Sequence, residues 1–251
     1  MVDNEFQGQV ALITGGGGGL GSEAAHVLAR DGAHIVLADL SLDSANRVAD
    51  RLKSEGLSAQ GLALDVTDSA AVDQAIESIV REHGRLDILV ASHGFARDGQ
   101  LVMDMTDEDW SAVIDVCLTG TFYAVRAATR AMIQREYGRI ITLSSRAWHG
   151  NPGQASYSGA KAGVVGLTRA VAKEVGRKGI TVNALAPGLI ETESLHKLKK
   201  YDAVVERAIK DNSIKRIGLP EDVAGAVRFL SSSASSFITG EVIHVSGGRF
   251  G

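Results

Sequence analysis

Cysteine is nearly absent from this sequence: Cys117 is the single thiol in 251 residues. No disulfide can form within one chain, and this composition suits the reducing cytoplasm. Proline, with three residues, and aromatic residues, at 5%, are also scarce, and no repeat or linker divides the chain. No uninterrupted apolar run reaches the roughly 18 residues that a transmembrane helix requires. These absences predict one cytoplasmic domain, residues 1–251, with no disulfide scaffold and no membrane span.

An excess of charge of one sign is missing as well. The 26 lysines and arginines against 30 aspartates and glutamates leave a formal net charge of -4. This balance argues against nucleic acid or an anionic membrane as the partner. The acidic and polar start, MVDNEFQGQ, is unlike a secretory or transit peptide. With 45% hydrophobic residues the chain can bury one large core, and we expect an enzyme-sized protein that acts on a small molecule.

Apolar segments of strand type alternate with segments of helical periodicity along the whole chain. The strand-type segments are QVALIT, AHIVLADLS, AQGLALDV, LDILVAS, RIITLSS, ITVNALAPG and EVIHVSGG. The longest helical stretch, DEDWSAVIDVCLTGTFYAVRAATRAMIQREYG, can be one helix or two pieces. Several strands are almost continuously apolar, which is typical of parallel strands covered on both faces. The pattern predicts an α/β fold with a single doubly wound, Rossmann-type parallel sheet and helices on both faces.

Five consecutive glycines, Gly15 to Gly19, lie between the first strand and the first helix. A flexible spacer is one interpretation, but a glycine turn between strand and helix is the context of a dinucleotide-binding site. Such a site has a carboxylate about twenty residues later, and Asp39 ends the second strand. Asp39 can accept both ribose hydroxyls of NAD, whereas the 2′-phosphate of NADP would meet a carboxylate and no cation. A helix N-cap or a solvated loop aspartate is the alternative for Asp39.

Polar residues also follow the later strands, where doubly wound sheets bind their ligands. Tyr157 and Lys161 lie four residues apart at the start of a predicted helix, so they share one helix face. Ser144 ends the strand before that helix, and we expect the three side chains to meet. Taken singly, they could be a buried tyrosine, a surface lysine and a strand-end serine.

Four motifs occur in order: TGGGGGLG, the serine pair before the tyrosine, YSGAK and APG. With them the sequence resembles the short-chain dehydrogenase/reductase family over essentially its whole length. The segments ITVNALAPGLIETES and RDGQLVMDMTDEDW most resemble its 3-oxoacyl-carrier-protein reductase-like branch. The resemblance implies an NAD-dependent interconversion of a secondary alcohol and a ketone by hydride transfer, and a homo-oligomer, tetramer or dimer. The implied catalytic residues are Tyr157 as general base, Lys161 as the group that lowers its pKa and Ser144 as hydrogen-bond donor to the substrate oxygen.

The glycine run fits two spacings, Gly16-Gly18-Gly21 and Gly15-Gly19-Gly21, of which the resemblance favours the second. It also implies NAD contacts along the strand ends, although Asp65 can equally be a plain loop aspartate. The implied cofactor-binding residues are Gly15, Gly18, Gly19, Leu20, Gly21, Asp39, Asp65, Val66, Ala91, Gly94, Tyr157, Lys161, Pro187, Gly188, Ile190 and Thr192.

Two positions depart from the family pattern. The NNAG motif after the fourth strand is ASHG here, residues 91–94, and the catalytic asparagine of NLTGTF is Cys117. In relatives that asparagine helps to hold a water that links the lysine to solvent. We favour the hypothesis that a backbone carbonyl in a locally distorted helix holds the water, so that the side chain can vary. His93 is either a pocket residue that faces the substrate or a polar group satisfied by the backbone.

The substrate is the least determined part of the site. Candidate pocket residues are His93, Arg146, Trp148 and Gln154, and no metal site is expected. Residues 189–217 fall where relatives carry a mobile lid, and the charges of HKLKK there could meet an acidic or acyl-carrier substrate or form a solvated helix face.

Two further functions stay open beside the NAD-dependent oxidoreductase. One is an NADPH-dependent 3-oxoacyl-carrier-protein or acyl-CoA reductase, against which Asp39 counts. The other is a nucleotide-binding regulatory protein whose catalysis has decayed, against which the intact Ser144, Tyr157 and Lys161 count.

Overall fold

The computed structural model describes residues 4–97, 99–197 and 200–250. Within them the strands are β1 Val10–Thr14, β2 His34–Asp39, β3 Ala59–Ala63, β4 Ile88–Ala91, β5 Gly138–Leu143, β6 Ile180–Pro187 and β7 Val242–Val245. They form one seven-stranded sheet in the order β3-β2-β1-β4-β5-β6-β7, and every neighbouring pair is parallel. The predicted doubly wound parallel sheet is confirmed.

Helices follow the strands as the sequence periodicity predicts. The helices are α1 Gly19–Arg30, α2 Leu42–Ser54, α3 Ser69–His83, α4 Asp107–Ile114, α5 Gly120–Ile133, α6 Ala155–Val175, α7 Glu193–His196, α8 Tyr201–Asp211 and α9 Pro220–Ser231. Side chains at the N-termini support several of them: Ser41 caps α2, Asp68 caps α3 and Thr106 caps α4, each accepting a backbone N–H. Such caps contribute about 1 kcal/mol each.

Two apolar layers cover the sheet, and strand β1 shows how the sequence builds both. Ala11 and Ile13 point into the layer that holds α1 and α2, with Leu28 and Leu52 in its core. The alternate residues Val10 and Leu12 point into the opposite layer, which holds α3 and α5. Burying one such aliphatic side chain stabilises the fold by about 1.5–3 kcal/mol. Burial on both faces is the reason why the strand is apolar at every position before its last residue, Thr14.

The strand order reverses between β1 and β4. From β1 the chain moves outward through β2 and β3, and from β4 it moves the other way through β5, β6 and β7. The last paired residues of the two central strands are Thr14 and Ala91. A crevice opens beyond the carboxyl ends of strands that diverge in this way, and this is where the predicted site residues lie.

The long helical stretch is interrupted where its sequence departs from the family pattern. Helices α4 and α5 are joined by a π-helical turn, Asp115–Thr119, which contains Cys117. The prediction of a locally distorted helix at this position is therefore confirmed. By length and composition alone, the whole stretch Asp107–Ile133 is long and apolar enough to cross a membrane. Of its most apolar 18-residue segment, 44% is buried inside the protein. Since it packs against α3 and α6, its apolar side is accounted for by the protein core.

Candidate active site

The glycine loop after β1 closes tightly on the rest of the protein. Gly15 has a left-handed backbone (φ 67°), and a Cβ added there would lie 2.8 Å from the backbone nitrogen of His93. A Cβ at Gly21 would collide with the carbonyl oxygen of Gly15, whereas one at Gly18 would meet its nearest atom at an ordinary 3.4 Å. A side chain is therefore excluded at Gly15 and Gly21. Gly21 belongs to both spacings, and Gly16 is crowded as well, with an added Cβ 2.8 Å from the Leu37 side chain. The left-handed backbone of Gly15 is thus the feature that favours the spacing that the resemblance indicated.

Helix α1 presents an uncapped N-terminus to the crevice. Its N-cap is Gly18, which supplies no side-chain hydrogen bond, and its first turn contains no acidic residue. The amide of Gly18 bonds to the carbonyl of Gly15, and the amide of Ser22 bonds to that of Gly18. The amides between these two have no acceptor within the helix. Free amides and the positive end of a helix dipole fit a phosphate group.

Asp39 lies directly beside the glycine loop. One carboxylate oxygen accepts the amide N–H of Gly17 at 3.1 Å, and the other accepts that of Ser41 at 3.1 Å. The N-cap of α2 is Ser41 and not Asp39, so the capping alternative for Asp39 is wrong. The next residue, Leu40, is 77% exposed. Among the described residues no lysine or arginine forms an ion pair with Asp39.

Asp65 and Val66 follow β3 at the same edge of the sheet. The exposed Asp65 carboxylate accepts both the backbone N–H and the hydroxyl of Thr67, at 2.9 and 2.7 Å. These hydrogen bonds, the one from the hydroxyl first, lower the pKa of Asp65. Val66 is buried against Gly120, where an added Cβ would lie 2.9 Å from the valine side chain. These contacts with Thr67 are those of an ordinary loop aspartate, which was the alternative expected for Asp65. A contact of Asp65 with adenine stays a prediction.

Ser144, Tyr157 and Lys161 line one cleft of about 480 Å³. Ser144 follows β5, and the other two project from the first turns of α6. The Ser144 hydroxyl donates to the Lys161 carbonyl at 2.9 Å, and the Lys161 ammonium donates to the Leu143 carbonyl at 2.6 Å. The Lys161 nitrogen lies 5.5 Å from the centre of the Tyr157 ring. The three residues are brought together as predicted from their spacing.

Lys161 is buried, with 3% of its surface exposed. Burial lowers its pKa because the charged form loses its hydration, and the nearby thiol of Cys117 opposes this shift. An ammonium in such a place is poorly screened by water, so it acts strongly on a neighbouring phenol.

Cys117 is buried next to this lysine. A single Cβ added at Gly94 would lie 3.2 Å from the Cys117 sulfur and 3.3 Å from the Lys161 nitrogen. The thiol donates to the Phe95 carbonyl at 3.4 Å. The Cys117 carbonyl accepts the hydroxyl of Thr121 at 2.9 Å, so a relay water at this carbonyl would share it with that hydroxyl.

His93 lines the cleft and takes part in a chain of hydrogen bonds. Its Nδ1 is 2.6 Å from the Thr14 hydroxyl, and its Nε2 is 3.2 Å from the Thr121 hydroxyl. Since the Thr121 hydroxyl donates to a carbonyl, it can only accept from Nε2, which must carry the proton. Burial first, and then the charge of Lys161, lower the pKa of His93 to about 3. His93 is therefore a neutral residue that lines the cleft, with its nitrogens engaged by two threonine hydroxyls and a backbone hydrogen bond at Val116. Each of the two expectations is met in part, and a contact of His93 with the substrate stays a prediction.

The end of β6 and the segment that follows it form the opposite wall of the cleft. Pro187, Gly188, Ile190 and Thr192 all line it. The amide of Gly188 bonds to Val245 of β7, and a Cβ added at Gly19 would lie 3.3 Å from the Thr192 side chain. The wall thus faces the glycine loop across the cleft.

The predicted substrate residues divide into two groups. Arg146, Gln154 and His93 line the cleft, but Trp148 does not. Its indole N–H donates to His244 of β7 at 3.3 Å, and its ring lies 4.0 Å from that of His149. The prediction that Trp148 faces the pocket is at odds with this geometry, because the short 3₁₀ turn Arg146–His149 sends neighbouring side chains in different directions.

Ser92 is a lining residue that sequence reasoning did not single out. Its hydroxyl donates to the Thr14 carbonyl at 2.6 Å, and a Cβ at Gly21 would lie 2.8 Å from its oxygen. Its position in ASHG, directly after β4, was the available signal. Among the described residues no group of three or more His, Cys, Asp or Glu side chains could hold a metal ion.

The described part of the predicted lid region contains helices α7 and α8 and a small apolar core. Leu195, Ala208 and Ile217 form this core, and the hydroxyl of Tyr201 donates to Glu191 at 2.8 Å. Leu198 and Lys199 of the HKLKK segment lie outside the described residues. Movement of this region over the substrate stays a prediction.

Comparisons with known proteins agree with this geometry. A family model described as "Enoyl-(Acyl carrier protein) reductase" matches residues 16–249. The (2S)-[(R)-hydroxy(phenyl)methyl]succinyl-CoA dehydrogenase subunit BbsD of Thauera aromatica is 40% identical, with 97% of each chain covered. The 3-oxoacyl-[acyl-carrier-protein] reductase FabG of Escherichia coli (strain K12) is 40% identical, with 98% of each chain covered.

Solved structures are similar over the same extent. The crystal structure of gox2181 superposes with a TM-score of 0.93 at 34% identity, covering 99% of this chain and 98% of that one. The structure of NAD+-bound xylitol dehydrogenase gives a TM-score of 0.91 at 29% identity, covering 97% of this chain and 100% of that one.

Proposed function

The chain belongs to the short-chain dehydrogenase/reductase family of nicotinamide-dependent oxidoreductases, and we propose that it uses NAD to interconvert a secondary alcohol and a ketone. The preference for NAD rests on one observation, the Asp39 carboxylate beside the glycine loop. A ribose can donate two hydroxyls to this carboxylate, whereas a 2′-phosphate would place negative charge against it. The relative whose structure was solved with NAD+ bound adds support.

The residues of the crevice fit such a cofactor. The uncapped N-terminus of α1 and the crowded glycines leave backbone amides, and no side chain, to receive a pyrophosphate. When bound, the nicotinamide ring accepts a hydride from the alcohol carbon or donates one to the ketone. Gly188, Ile190 and Thr192 would hold its end of the cofactor from the opposite wall of the cleft.

The protein's own part of the reaction is the transfer of a proton. In the direction of oxidation the Tyr157 phenolate takes the proton of the substrate hydroxyl, which requires a pKa well below the usual value of about 10. The buried Lys161 ammonium favours the phenolate by direct charge attraction. Ser144 orients the substrate oxygen. Its hydroxyl donates to the Lys161 carbonyl in this structure, and it must turn to donate to the substrate or use its lone pairs.

Exchange of Asp39 tests the coenzyme preference. The unchanged protein should prefer NAD to NADP strongly, and Asp39→Ala should reduce the difference in affinity between the two coenzymes. Lost ribose hydrogen bonds and relieved charge repulsion contribute about 1–3 kcal/mol, tenfold or more in relative affinity. The measurement is a kinetic titration of both coenzymes with a panel of secondary alcohols. Asp43→Ala, an exposed carboxylate in the first turn of α2, is the matched control.

Equal use of NAD and NADP by the unchanged protein would contradict the proposal. The similarity to FabG favours a second candidate, the NADPH-dependent 3-oxoacyl reductase, for which reduction of acetoacetyl-CoA should be faster with NADPH than with NADH. A protein that binds NAD but turns over none of these compounds would be the decayed regulatory protein.

Exchange of Cys117 tests the proton relay. We expect Cys117→Ala and Cys117→Ser to change turnover by less than about tenfold, far short of the factor for a true acid–base group. The reason is that a backbone carbonyl in the π-helical turn does not depend on the side chain, and hydride transfer from an alcohol needs no covalent thiol intermediate. Turnover with NAD is measured for both variants and for Cys117→Asn. Loss of activity in the alanine and serine variants, with an intact circular dichroism spectrum, would show that the thiol takes part.

The assembly and compartment are also proposals. We propose a cytoplasmic homo-oligomer, tetramer or dimer, as the family resemblance implies. Exposed apolar side chains on α4 and α5, such as Trp110 (44% exposed) and Phe122 (40% exposed), suit burial between subunits.

A further inference from the structure

A second cavity of about 640 Å³ adjoins the catalytic cleft. The two share Arg146, Asn151, Gln154 and Leu189 in their walls. A substrate held by Tyr157 can therefore extend into the second cavity. The side chains that line this cavity determine which substituent of the substrate it can accommodate at that end.

Cationic side chains from distant parts of the sequence meet in this cavity. Arg146 comes from the turn after β5, Arg207 from α8 and Arg249 from the segment after β7, and Lys200 joins them. We call the site formed by Arg146, Arg207 and Arg249 the arginine pocket. One carboxylate, Asp211, lies close: it is 2.8 Å from Arg249 and 3.7 Å from Arg207. Among the described residues Asp211 is the one carboxylate that forms an ion pair with any of these three guanidinium groups.

Arg146 is the member without a carboxylate partner among the described residues. It is half-buried, and burial first, then the charges of Arg249 and Arg207, lower its pKa, with Asp211 opposing. A charge that is partly desolvated beside like charges is unfavourable unless a counter-charge binds. The side chain of Arg207 is 80% exposed and would be well hydrated alone, but that of Arg249 is only 21% exposed. Hydration alone therefore does not compensate the charges of Arg146 and Arg249, and Asp211 forms an ion pair with only the second of them.

We propose that the arginine pocket binds an oxyanion of the substrate, a carboxylate or a phosphate, and that the substrate is an acidic hydroxy compound or its ketone. The inference rests on the proposed function for the reaction at Tyr157. Guanidinium groups bind carboxylate and phosphate oxygens through two parallel hydrogen bonds. The anion thereby fixes the far end of the substrate while Ser144 and Tyr157 hold the hydroxyl end.

The test compares acids with their neutral esters. The substrates are 3-hydroxybutanoate, 4-hydroxypentanoate and 5-hydroxyhexanoate, each beside its methyl ester, so that the spacing between hydroxyl and anion is varied. Propane-1,2-diol 1-phosphate beside propane-1,2-diol tests the phosphate source. For at least one pair, kcat/KM should be about tenfold or more higher for the anion than for the neutral compound. Arg146→Gln and Arg249→Gln should each lower that ratio about tenfold or more, as expected when a charge-assisted hydrogen bond is lost.

Arg135→Gln is the matched control. Arg135 is exposed in the segment between α5 and β5, near the amino end of that strand and so away from the site at the carboxyl ends. Its exchange removes the same charge. The anion-to-neutral ratio should be unchanged in this variant. Ratios near one in the unchanged protein, or ratios that neither pocket variant alters, would overturn the inference.

Binding without turnover separates this inference from the proposed function. Succinate and inorganic phosphate are titrated calorimetrically into the protein saturated with NADH. We expect at least one to bind, and to bind about tenfold or more weakly to Arg146→Gln but not to Arg135→Gln. Such binding in a protein that oxidises none of the alcohols would support anion binding by the arginine pocket and refute the proposed function. Turnover of alcohols with no binding of either anion and no preference for acids would refute the pocket alone.

Discussion

Replacing Tyr157 with phenylalanine should reduce turnover by about 10²–10⁴-fold, the usual contribution of a general acid–base group. The tyrosine ring packs against the small buried cluster of Val113, Cys117 and Ala160, and phenylalanine keeps this packing. The substitution therefore removes the hydroxyl and little else. Because the cofactor's phosphates and ribose are expected at the glycine loop and Asp39, binding of NAD should be nearly unchanged.

The measurement combines steady-state turnover with a fluorescence titration of NADH. Tyr137→Phe is a suitable control, since Tyr137 lies just before β5 at the other edge of the sheet and its hydroxyl contacts Gln9 at 3.5 Å. If Tyr157→Phe retains more than about a tenth of the rate, Tyr157 is not the base, because the loss would fall below the range for acid–base catalysis.

Replacing Lys161 with methionine should lower turnover near pH 7 by about a hundredfold or more and move the pH profile upward. A free tyrosine has a pKa of about 10, and lowering this to about 7 requires roughly 4 kcal/mol of preferential stabilisation of the phenolate. The buried Lys161 ammonium lies close enough to supply much of it. Without this charge the phenol loses its proton only at higher pH, so kcat/KM should rise toward its plateau later than in the unchanged protein.

The pH dependence of kcat/KM from pH 6 to 10 distinguishes this role from a structural one. A variant that merely loosens the site would lose activity at every pH, whereas loss of the ammonium shifts the rising limb to higher pH and allows partial recovery there. Lys173→Met, an exposed lysine on the same helix, should leave the profile in place. A Lys161→Met profile that falls uniformly, with its rising limb unshifted, would refute the charge effect.

The sequence by itself determined the order of the elements and the candidate catalytic face. Strand β1 is apolar from Val10 to Ile13 because both its faces are buried, and this local signal predicts a covered parallel sheet. Tyr157 and Lys161 share a face because the helical repeat places residues four apart side by side. Local periodicity and the closeness of Ser144 to the same edge were sufficient, since these relations depend on neighbours in the chain.

The glycine run shows where local information stops. Five glycines allow two spacings that share Gly21, and the left-handed backbone of Gly15 favours the spacing that contains it. Trp148 and Arg146 are two residues apart in one short turn, yet the first contacts His244 and the second lines the cleft. The direction of such side chains follows from what packs against the turn, which is remote in sequence.

Only the tertiary structure decided the state of His93 and the composition of the arginine pocket. His93 is neutral because it is buried and lies near the charge of Lys161, which lower its pKa, while Thr14 and Thr121, brought from β1 and α5, engage its nitrogens. Arg249 reaches Arg146 although more than a hundred residues separate them in the chain. Charge and desolvation act through space over a few ångströms, so the sequence carries the groups, and their interaction exists only once the folded chain has placed them side by side.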